Sequence, residues 1–260
     1  MLEIIKAIIY GIVEGITEWL PISSTGHLIL VERLIPFKQT SEGFFDMFDV
    51  VIQLGAIIAV VVLFWNKIWP FYLKKNKEVK KGGIVKSEKD PAVGNVALSM
   101  DAFWMWVKIV VACIPAVVYG LLFDDAVSEA FKKEIGTSGV TVQVIVVAVM
   151  LVLVGVLFIV IENWNKNRVP TTTTLSQLTY RDALIIGFCQ LVAAALPGTS
   201  RSGATILGAI MIGISRTVAA EFTFFLAIPV MFGASLLKVL KVGFAVTGME
   251  LACLLVGTVI

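Results

Sequence analysis

The 260-residue chain is unusually apolar. Hydrophobic residues make up 58% of it and charged residues 15%, and its mean hydropathy is +0.93, whereas soluble domains carry about 45–50% apolar and about 25% charged residues. This composition excludes a soluble globular protein and predicts the lipid bilayer as the partner. The net charge of +2 and the lack of a basic stripe with interleaved aromatic residues argue against nucleic-acid binding.

Long apolar stretches predict an all-α, polytopic integral membrane protein. Residues 140–161 contain no charge and are long enough to cross the hydrocarbon core of a bilayer as a helix. The segment 4–20 differs from the others because it contains Glu14 and Glu18. Further membrane helices are expected at 50–65, 102–123, 222–237 and 251–260.

Loop charges predict the orientation of these helices, because short loops rich in lysine and arginine stay on the cytoplasmic side. The 66–90 loop contains eight lysines and is expected to be cytoplasmic. The 124–139 loop has four acids and two lysines and is expected outside, and the 162–182 loop has three basic and two acidic residues and is expected inside. The three assignments agree with one crossing between successive loops.

The chain also contains an internal repeat. Residues 7–24 align with 183–200 without a gap, and Asp49 with the apolar run after it pairs with Glu221. We expect Asp46, Asp49 and Glu221 at helix starts, where the helix dipole favours an acid.

The repeat predicts one membrane domain, 1–260, with two copies of inverted topology. The proline-containing segments 21–27 and 197–205 are expected to be two re-entrant, broken-helix segments that face one another near the midplane, where irregular backbone must line a cavity. The expected boundaries are about 1–65 for repeat one, about 181–260 for a C-terminally incomplete repeat two, and 102–123 and 140–161 for the connecting transmembrane helices.

Glu14 and Glu18 lie one helical turn apart, on a face that also carries Ala7 and Gly11. Acids within a membrane are functional by default, although acids that snorkel or bond to the helix are the plainer alternative. Two adjacent carboxylates suit a divalent cation, Mg²⁺ or Ca²⁺, with Glu14 and Glu18 as its ligands, or else a shared proton. Both alternatives stay open at this stage.

Two polar segments favour phosphoryl chemistry on a lipid-borne phosphate. The 21–27 segment carries three hydroxyls and the only histidine, His27, which is three residues from Ser24. The 197–205 segment is a glycine-rich turn that leads into a helix and carries Arg201, a pattern typical of an anion-binding nest. Alternatively, Arg201 pairs across the fold with one of the two glutamates.

At these residues the sequence resembles the undecaprenyl-diphosphate phosphatase family, which is also known for bacitracin resistance. Both family signatures are present: a Glu-x-x-x-Glu helix that runs into Pro-x-Ser-Ser-Thr-Gly-His, and a Pro-Gly-x-Ser-Arg-Ser-x-x-Thr loop. The resemblance implies a multi-pass enzyme of the bacterial inner membrane with its active site on the outer side. It would hydrolyse undecaprenyl diphosphate and so recycle the lipid carrier of peptidoglycan synthesis.

The resemblance also implies roles for individual residues. Whether a serine, the histidine or a metal-bound water attacks is left open. The residues implied in catalysis are Glu14, Glu18, Ser24, His27 and Arg201. The residues implied in binding the diphosphate are Ser23, Thr25, Ser200, Arg201, Ser202 and Thr205. Glu14 and Glu18 are also the implied metal ligands.

Family members continue for roughly one or two more transmembrane helices, so this chain is expected to be truncated at its C-terminus. A membrane transporter or lipid flippase is the alternative function, because inverted repeats and intramembrane acids also serve proton-coupled transport. Inverted-repeat folds often dimerise, and by this analogy alone a homodimer is expected.

Overall fold

The structure is a computed structural model that describes residues 2–38, 40, 41, 43–73, 96–122, 140–195, 198–242 and 246–260. Within these residues it is almost entirely helical, with one short antiparallel strand pair. The 124–139 loop, most of the lysine-rich loop, and Leu196 and Pro197 lie outside the described residues.

The helices and strands follow one another along the chain with short connections wherever the connection is described. In the part of the chain that the structure describes, one 3₁₀ turn, Leu175–Gln177, precedes the helix that begins at Tyr180. The elements are α1 (Leu2–Trp19), α2 (Ser24–Leu34), α3 (Phe44–Leu63), α4 (Trp65–Ile68), β1 (Phe71–Leu73), β2 (Val96–Leu98), α5 (Met100–Leu122), α6 (Val140–Asn165), α7 (Tyr180–Ala195), α8 (Arg201–Met211), α9 (Arg216–Val242) and α10 (Gly248–Val259).

Among the described residues, four helices are long and apolar enough to cross a membrane, which agrees with the predicted multi-pass protein. Their apolar spans overlap the four longer predicted stretches, and α10 is a shorter apolar helix over the fifth. The first helix, α1, is not among the four because its glutamates and Lys6 interrupt the apolar pattern. The four spans are Phe44–Leu63, Met100–Gly120, Val144–Asn165 and Arg216–Leu237.

The expected helix starts near Asp49 and Glu221 are wrong. The helix α3 begins at Phe44 and α9 at Arg216, so both acids lie in the second turn, and only Asp46 lies in a first turn. Each predicted start lies at the acid just before a long apolar run, whereas the helix extends more than a turn to the N-terminal side of that acid.

Two helical hairpins occupy the positions of the expected broken-helix segments. Helices α1 and α2 pack on each other across a short break at 20–23, and α7 and α8 do the same across 196–200. The second helix of each hairpin, α2 or α8, has 11 residues and is about 17 Å long at 1.5 Å per residue. That length is too short to cross a hydrocarbon core of about 30 Å.

Close helix contacts hold each hairpin against a distant helix. A Cβ on Gly11 of α1 would lie 2.7 Å from the carbonyl oxygen of Gly257 in α10. A Cβ on Gly187 of α7 would lie 2.3 Å from the carbonyl oxygen of Ala112 in α5. Only glycine permits these approaches, as at small-residue contacts between membrane helices.

Two buried carboxylates tie the loop between α2 and α3 to the first and last helices. Glu250 accepts hydrogen bonds from the N–H (2.5 Å) and hydroxyl (2.6 Å) of Ser41 with one oxygen, and from the N–H (2.7 Å) and hydroxyl (2.8 Å) of Thr247 with the other. Glu3 accepts from Lys6 (2.9 Å), whose ammonium also donates to a carbonyl oxygen of the loop (2.6 Å). These bonds fix the start of α3 relative to α1 and α10.

We predict that Glu250→Gln lowers the melting temperature of the detergent-solubilised protein by several degrees. The amide nitrogen would face one pair of donors and leave them unpaired in a buried place, which costs about 1–3 kcal/mol. Differential scanning fluorimetry measures the change. The control is Glu162→Gln, which breaks an exposed ion pair with Arg216 that is worth about 0–1 kcal/mol. Equal decreases in the melting temperature of the two variants would contradict the role of Glu250 in holding the α2–α3 loop against α10.

Candidate active site

The two interhelical breaks lie side by side, next to α6. A Cβ on Gly198 would lie 2.9 Å from the Val147 Cα, and a Cβ on Gly26 would lie 3.3 Å from the Val147 Cγ1. The segments also touch directly, because a Cβ on Gly203 would lie 3.2 Å from the Pro21 carbonyl oxygen. Gly198 has a φ of +84°, in the left-handed region that glycine adopts without a steric cost.

Each short helix begins with a serine cap. The hydroxyls of Ser23 and Ser200 accept hydrogen bonds from the N–H of the glycine three residues on, at 3.3 and 3.0 Å. The first helical residues, Ser24 and Arg201, therefore occupy equivalent positions. The gapless alignment matched Ser24 with Ser200 instead, because it did not allow for the one extra residue in the second break. Ser23 has a φ of +66°, a strained conformation of the kind found at functional sites.

Ser24 and Arg201 meet at the Glu18 carboxylate. The Ser24 hydroxyl donates to Glu18 Oε2 at 2.6 Å, and Arg201 Nη2 donates to Glu18 Oε1 at 2.8 Å. The side chains of the ion pair are only 22% and 15% exposed, so the charges attract one another more strongly than at an open surface. The sequence left open which of the two glutamates pairs with Arg201; in the structure Arg201 pairs with Glu18.

The Arg201 guanidinium retains an unused donor. Its Nη1 is buried and has no hydrogen-bond partner among the described residues, while Nη2 also contacts the Met231 sulfur at 2.9 Å. Buried donors are normally paired. Arginine forms its strongest hydrogen bonds with carboxylate or phosphate oxygens, so this position suits an anion.

A cavity of about 250 Å³ lies beside the Glu18 and Arg201 pair. Part of the lining, the polar wall, includes residues from both broken-helix segments. The rest of the lining, the apolar wall, comes from α7 and α9. The polar wall consists of Glu18, Ser23, Ser24, Thr25, Gln53, Thr199, Ser200, Arg201 and Ser202, and the apolar wall of Ala193, Val230, Met231 and Ala234.

Glu14 lies one turn before Glu18 and is 1% exposed. Neither of its carboxylate oxygens has a hydrogen-bond partner among the described residues, whereas both Glu18 oxygens are paired. A buried carboxylate without partners is costly, so its oxygens suit a cation or a proton. The described part of the chain contains no group of three or more His, Cys, Asp or Glu side chains that could hold a metal ion.

Three of the predicted site residues are not on the walls of the described cavity: Glu14, His27 and Thr205. The His27 Nδ1 lies 2.8 Å from the Ser23 carbonyl oxygen; because a carbonyl only accepts, Nδ1 carries the proton and Nε2 is the basic nitrogen. The Thr205 hydroxyl donates to the carbonyl oxygen of the first α8 residue (2.9 Å) and accepts from Thr223 (3.0 Å). These bonds support the backbone around the site.

The structure also adds residues that the sequence did not single out. Gln53 of α3, Thr199 and Met231 line the cavity. Gln53 could have been identified from the sequence, because it is a polar residue within an apolar span. No such signal existed for Met231, because methionine is common in apolar cores.

Comparison with known proteins agrees with the signatures. The bacitracin resistance protein BacA family matches residues 7–260. The undecaprenyl-diphosphatase of Desulfitobacterium hafniense is 54% identical over 260 residues, covering 100% of this chain and 83% of the relative. Those of Acetivibrio thermocellus (52%, covering 100% and 84%) and Enterococcus faecalis (51%, covering 98% and 82%) are similarly close. With the family match over nearly its whole length, the chain belongs to the bacitracin resistance protein BacA family.

Proposed function

We propose that the chain hydrolyses undecaprenyl diphosphate to undecaprenyl phosphate and inorganic phosphate, the activity for which its relatives are named. The observation that carries this proposal is the meeting of Ser24 and Arg201, from two helix N-termini, on the Glu18 carboxylate at the wall of a cavity. The reaction recycles the lipid carrier of peptidoglycan synthesis and fits the bacitracin resistance of the family.

The diphosphate binds where the N-termini of α2 and α8 meet. The first N–H groups of a helix have no partner within it, and the helix dipole favours an anion there. Arg201 adds a positive charge and an unpaired donor. The hydroxyls of Ser23, Thr25, Ser200 and Ser202 line the same cavity and supply further donors.

Ser24 is the nucleophile in this proposal, and Glu18 is its base. The 2.6 Å hydrogen bond lets Glu18 accept the hydroxyl proton while the serine oxygen bonds to the terminal phosphorus. The phosphorus–oxygen bond to undecaprenyl phosphate breaks, and this product leaves. Water then attacks the phosphoserine, the phosphorus–oxygen bond to Ser24 breaks, and the protonated Glu18 returns its proton to the serine oxygen. Inorganic phosphate leaves with the two protons of the attacking water. His27 acts indirectly, by holding the backbone of Ser23.

We expect purified protein in detergent to release phosphate from undecaprenyl diphosphate, and Arg201→Ala and Glu18→Ala to lower kcat about 10²–10³-fold or more, as for the loss of a preorganised charge. A malachite-green assay measures the rate. The matched control is Arg216→Ala, which removes an exposed arginine paired with Glu162 and should retain activity. A transporter would instead move lipid in liposomes without phosphate release.

We predict a covalent phosphoserine at Ser24. Rapid acid quenching with substrate labelled in the terminal phosphate should leave label on the wild-type protein and none on Ser24→Ala, whose turnover should fall about 10³-fold or more. Ser215→Ala, at the start of α9, is the serine control and should label like the wild type. Label on the Ser24→Ala protein, or an unlabelled wild type in a single turnover, would exclude this nucleophile.

A divalent cation, Mg²⁺ or Ca²⁺, is part of the proposal, with Glu14 as its protein ligand. The buried, unpaired Glu14 oxygens suit a hard cation. Glu18 is not available as a ligand in the present arrangement, because Arg201 and Ser24 occupy its oxygens. When bound, the cation would offset the negative charge of the diphosphate.

We expect EDTA to abolish phosphate release and Mg²⁺ to restore it. Glu14→Gln should raise the Mg²⁺ concentration for half-maximal activity about tenfold or more, because the amide lacks the charge that attracts the cation. The control is Glu162→Gln, a carboxylate at the end of α6, which should titrate like the wild type. Full activity in EDTA, or an unchanged Mg²⁺ requirement in Glu14→Gln, would contradict a cation at this residue.

The packing supports two inverted repeats, α1–α2–α3–α5 and α7–α8–α9–α10. The last helix of each packs against the first helix of the other, α10 on α1 and α5 on α7, and α3 packs on α9. Three spanning helices, α3, α5 and α6, separate the hairpins and invert the second copy. Repeat one would thus extend beyond residue 65, and the hairpins would be re-entrant.

The proposed orientation puts the cavity in the outer half of the bacterial inner membrane. The helix α9 begins at Arg216, which pairs with Glu162 near the loop expected to be cytoplasmic. Ala234, on the cavity wall, is about 27 Å further along α9 at 1.5 Å per residue. A homodimer stays a prediction from fold analogy.

A further inference from the structure

The apolar wall of the cavity cannot bind the headgroup. Ala193 comes from α7, and Val230 and Ala234 come from α9. None of these three side chains has a polar atom, and the alanines are the smallest side chains on either wall. A diphosphate held by the polar wall would therefore have this apolar surface within the same cavity, next to its lipid end.

This wall lies where two helices are loosely associated. Among the described residues, α7 packs mainly on α5 and α8, and α9 packs mainly on α3 and α8. Ala234 is exposed at the surface, and the space next to Gly233 is open. One turn further along the same face of α9 is Leu237, which is 60% exposed and ends the membrane span. The cavity wall is thus continuous with a surface that faces lipid.

Two further openings in the described part of the chain are unsuited to an alkyl chain. The space beside Trp19 and Val60 has a volume of only about 10 Å³. The cavity of about 570 Å³ near Thr25 is lined by Glu32, Asp46 and other polar groups. Burial of a prenyl chain is favourable by about 0.8 kcal/mol per CH₂ only in an apolar environment, so neither space competes with the α7 and α9 route.

We propose that the prenyl tail of the lipid substrate leaves the cavity between α7 and α9, over Ala193 and Ala234, and enters the bilayer beside Leu237. This inference rests on the proposed function, because it needs a lipid diphosphate in the cavity. The tail then lies against apolar side chains from the cavity to the lipid-facing surface of α9, while the headgroup reaches the polar wall. Ala193 and Ala234 set the width of the opening and thereby determine which lipids enter.

Photocrosslinking tests the route directly. A p-benzoylphenylalanine residue at Leu237 should form a covalent adduct with radiolabelled undecaprenyl diphosphate. The matched control is the same residue at Phe232, which is 61% exposed but lies about 200° around α9 from Ala234. Adducts at Leu237 should exceed those at Phe232 and should fall when Arg201→Ala removes headgroup binding. Equal labelling at both positions, or labelling at Leu237 that is independent of Arg201, would overturn the route.

Narrowing the opening provides a kinetic test. Ala234→Trp should raise KM for undecaprenyl diphosphate about tenfold or more with little change in kcat, because it obstructs the path of the tail rather than the reacting atoms. Phe232→Trp should behave like the wild type. Ala193→Leu serves as a second variant if the tryptophan disturbs folding, which the melting temperature reports. An unchanged KM in both folded variants would refute the route, whereas a wild type without phosphate release would refute the proposed function instead.

Discussion

A carboxylate in an apolar protein interior is stable only when its charge is compensated, and Glu18 receives this compensation from both halves of the chain. Ser24 comes from the first hairpin, and Arg201 comes from the second, 183 positions after Glu18. Removing one partner of such a pair leaves the other charge buried and unpaired. The same interaction therefore holds the two breaks together and orients the serine hydroxyl and the guanidinium at the cavity.

The serine caps explain why this geometry recurs in both halves. In each hairpin the cap serine binds the N–H of a glycine three residues on, and this bond fixes the direction of the first helical residue. That residue is Ser24 in one half and Arg201 in the other. The same local motif therefore brings a hydroxyl and a guanidinium to the two oxygens of a single carboxylate. The two hairpins thus carry different functional groups at equivalent positions.

Features that depend on local pattern were predictable from the sequence, whereas those that depend on packing were not. The spans at Met100–Gly120 and Val144–Asn165 followed from long, predominantly apolar stretches, and the polar character of both breaks followed from their composition. The choice between Glu14 and Glu18 as the partner of Arg201 required the packing of two distant hairpins. In the structure Ser24 is equivalent to Arg201, whereas the sequence alignment matched it with Ser200. This shift of one residue comes from the longer second break, which a gapless alignment does not represent.

The position of α9 relates the polar site to the surrounding lipid. At Met231 the helix contacts the Arg201 guanidinium, and at Ser235 it donates a hydrogen bond to the Val50 carbonyl oxygen of α3 (3.0 Å). Ala234 lies between these two contacts and faces the cavity. Because the contacts on both sides fix α9 against its neighbours, the small side chain at Ala234 leaves a gap of defined width. An enzyme that acts on an amphiphile needs this combination of a rigid polar wall and an apolar opening, since neither half of its substrate is stable in the environment of the other.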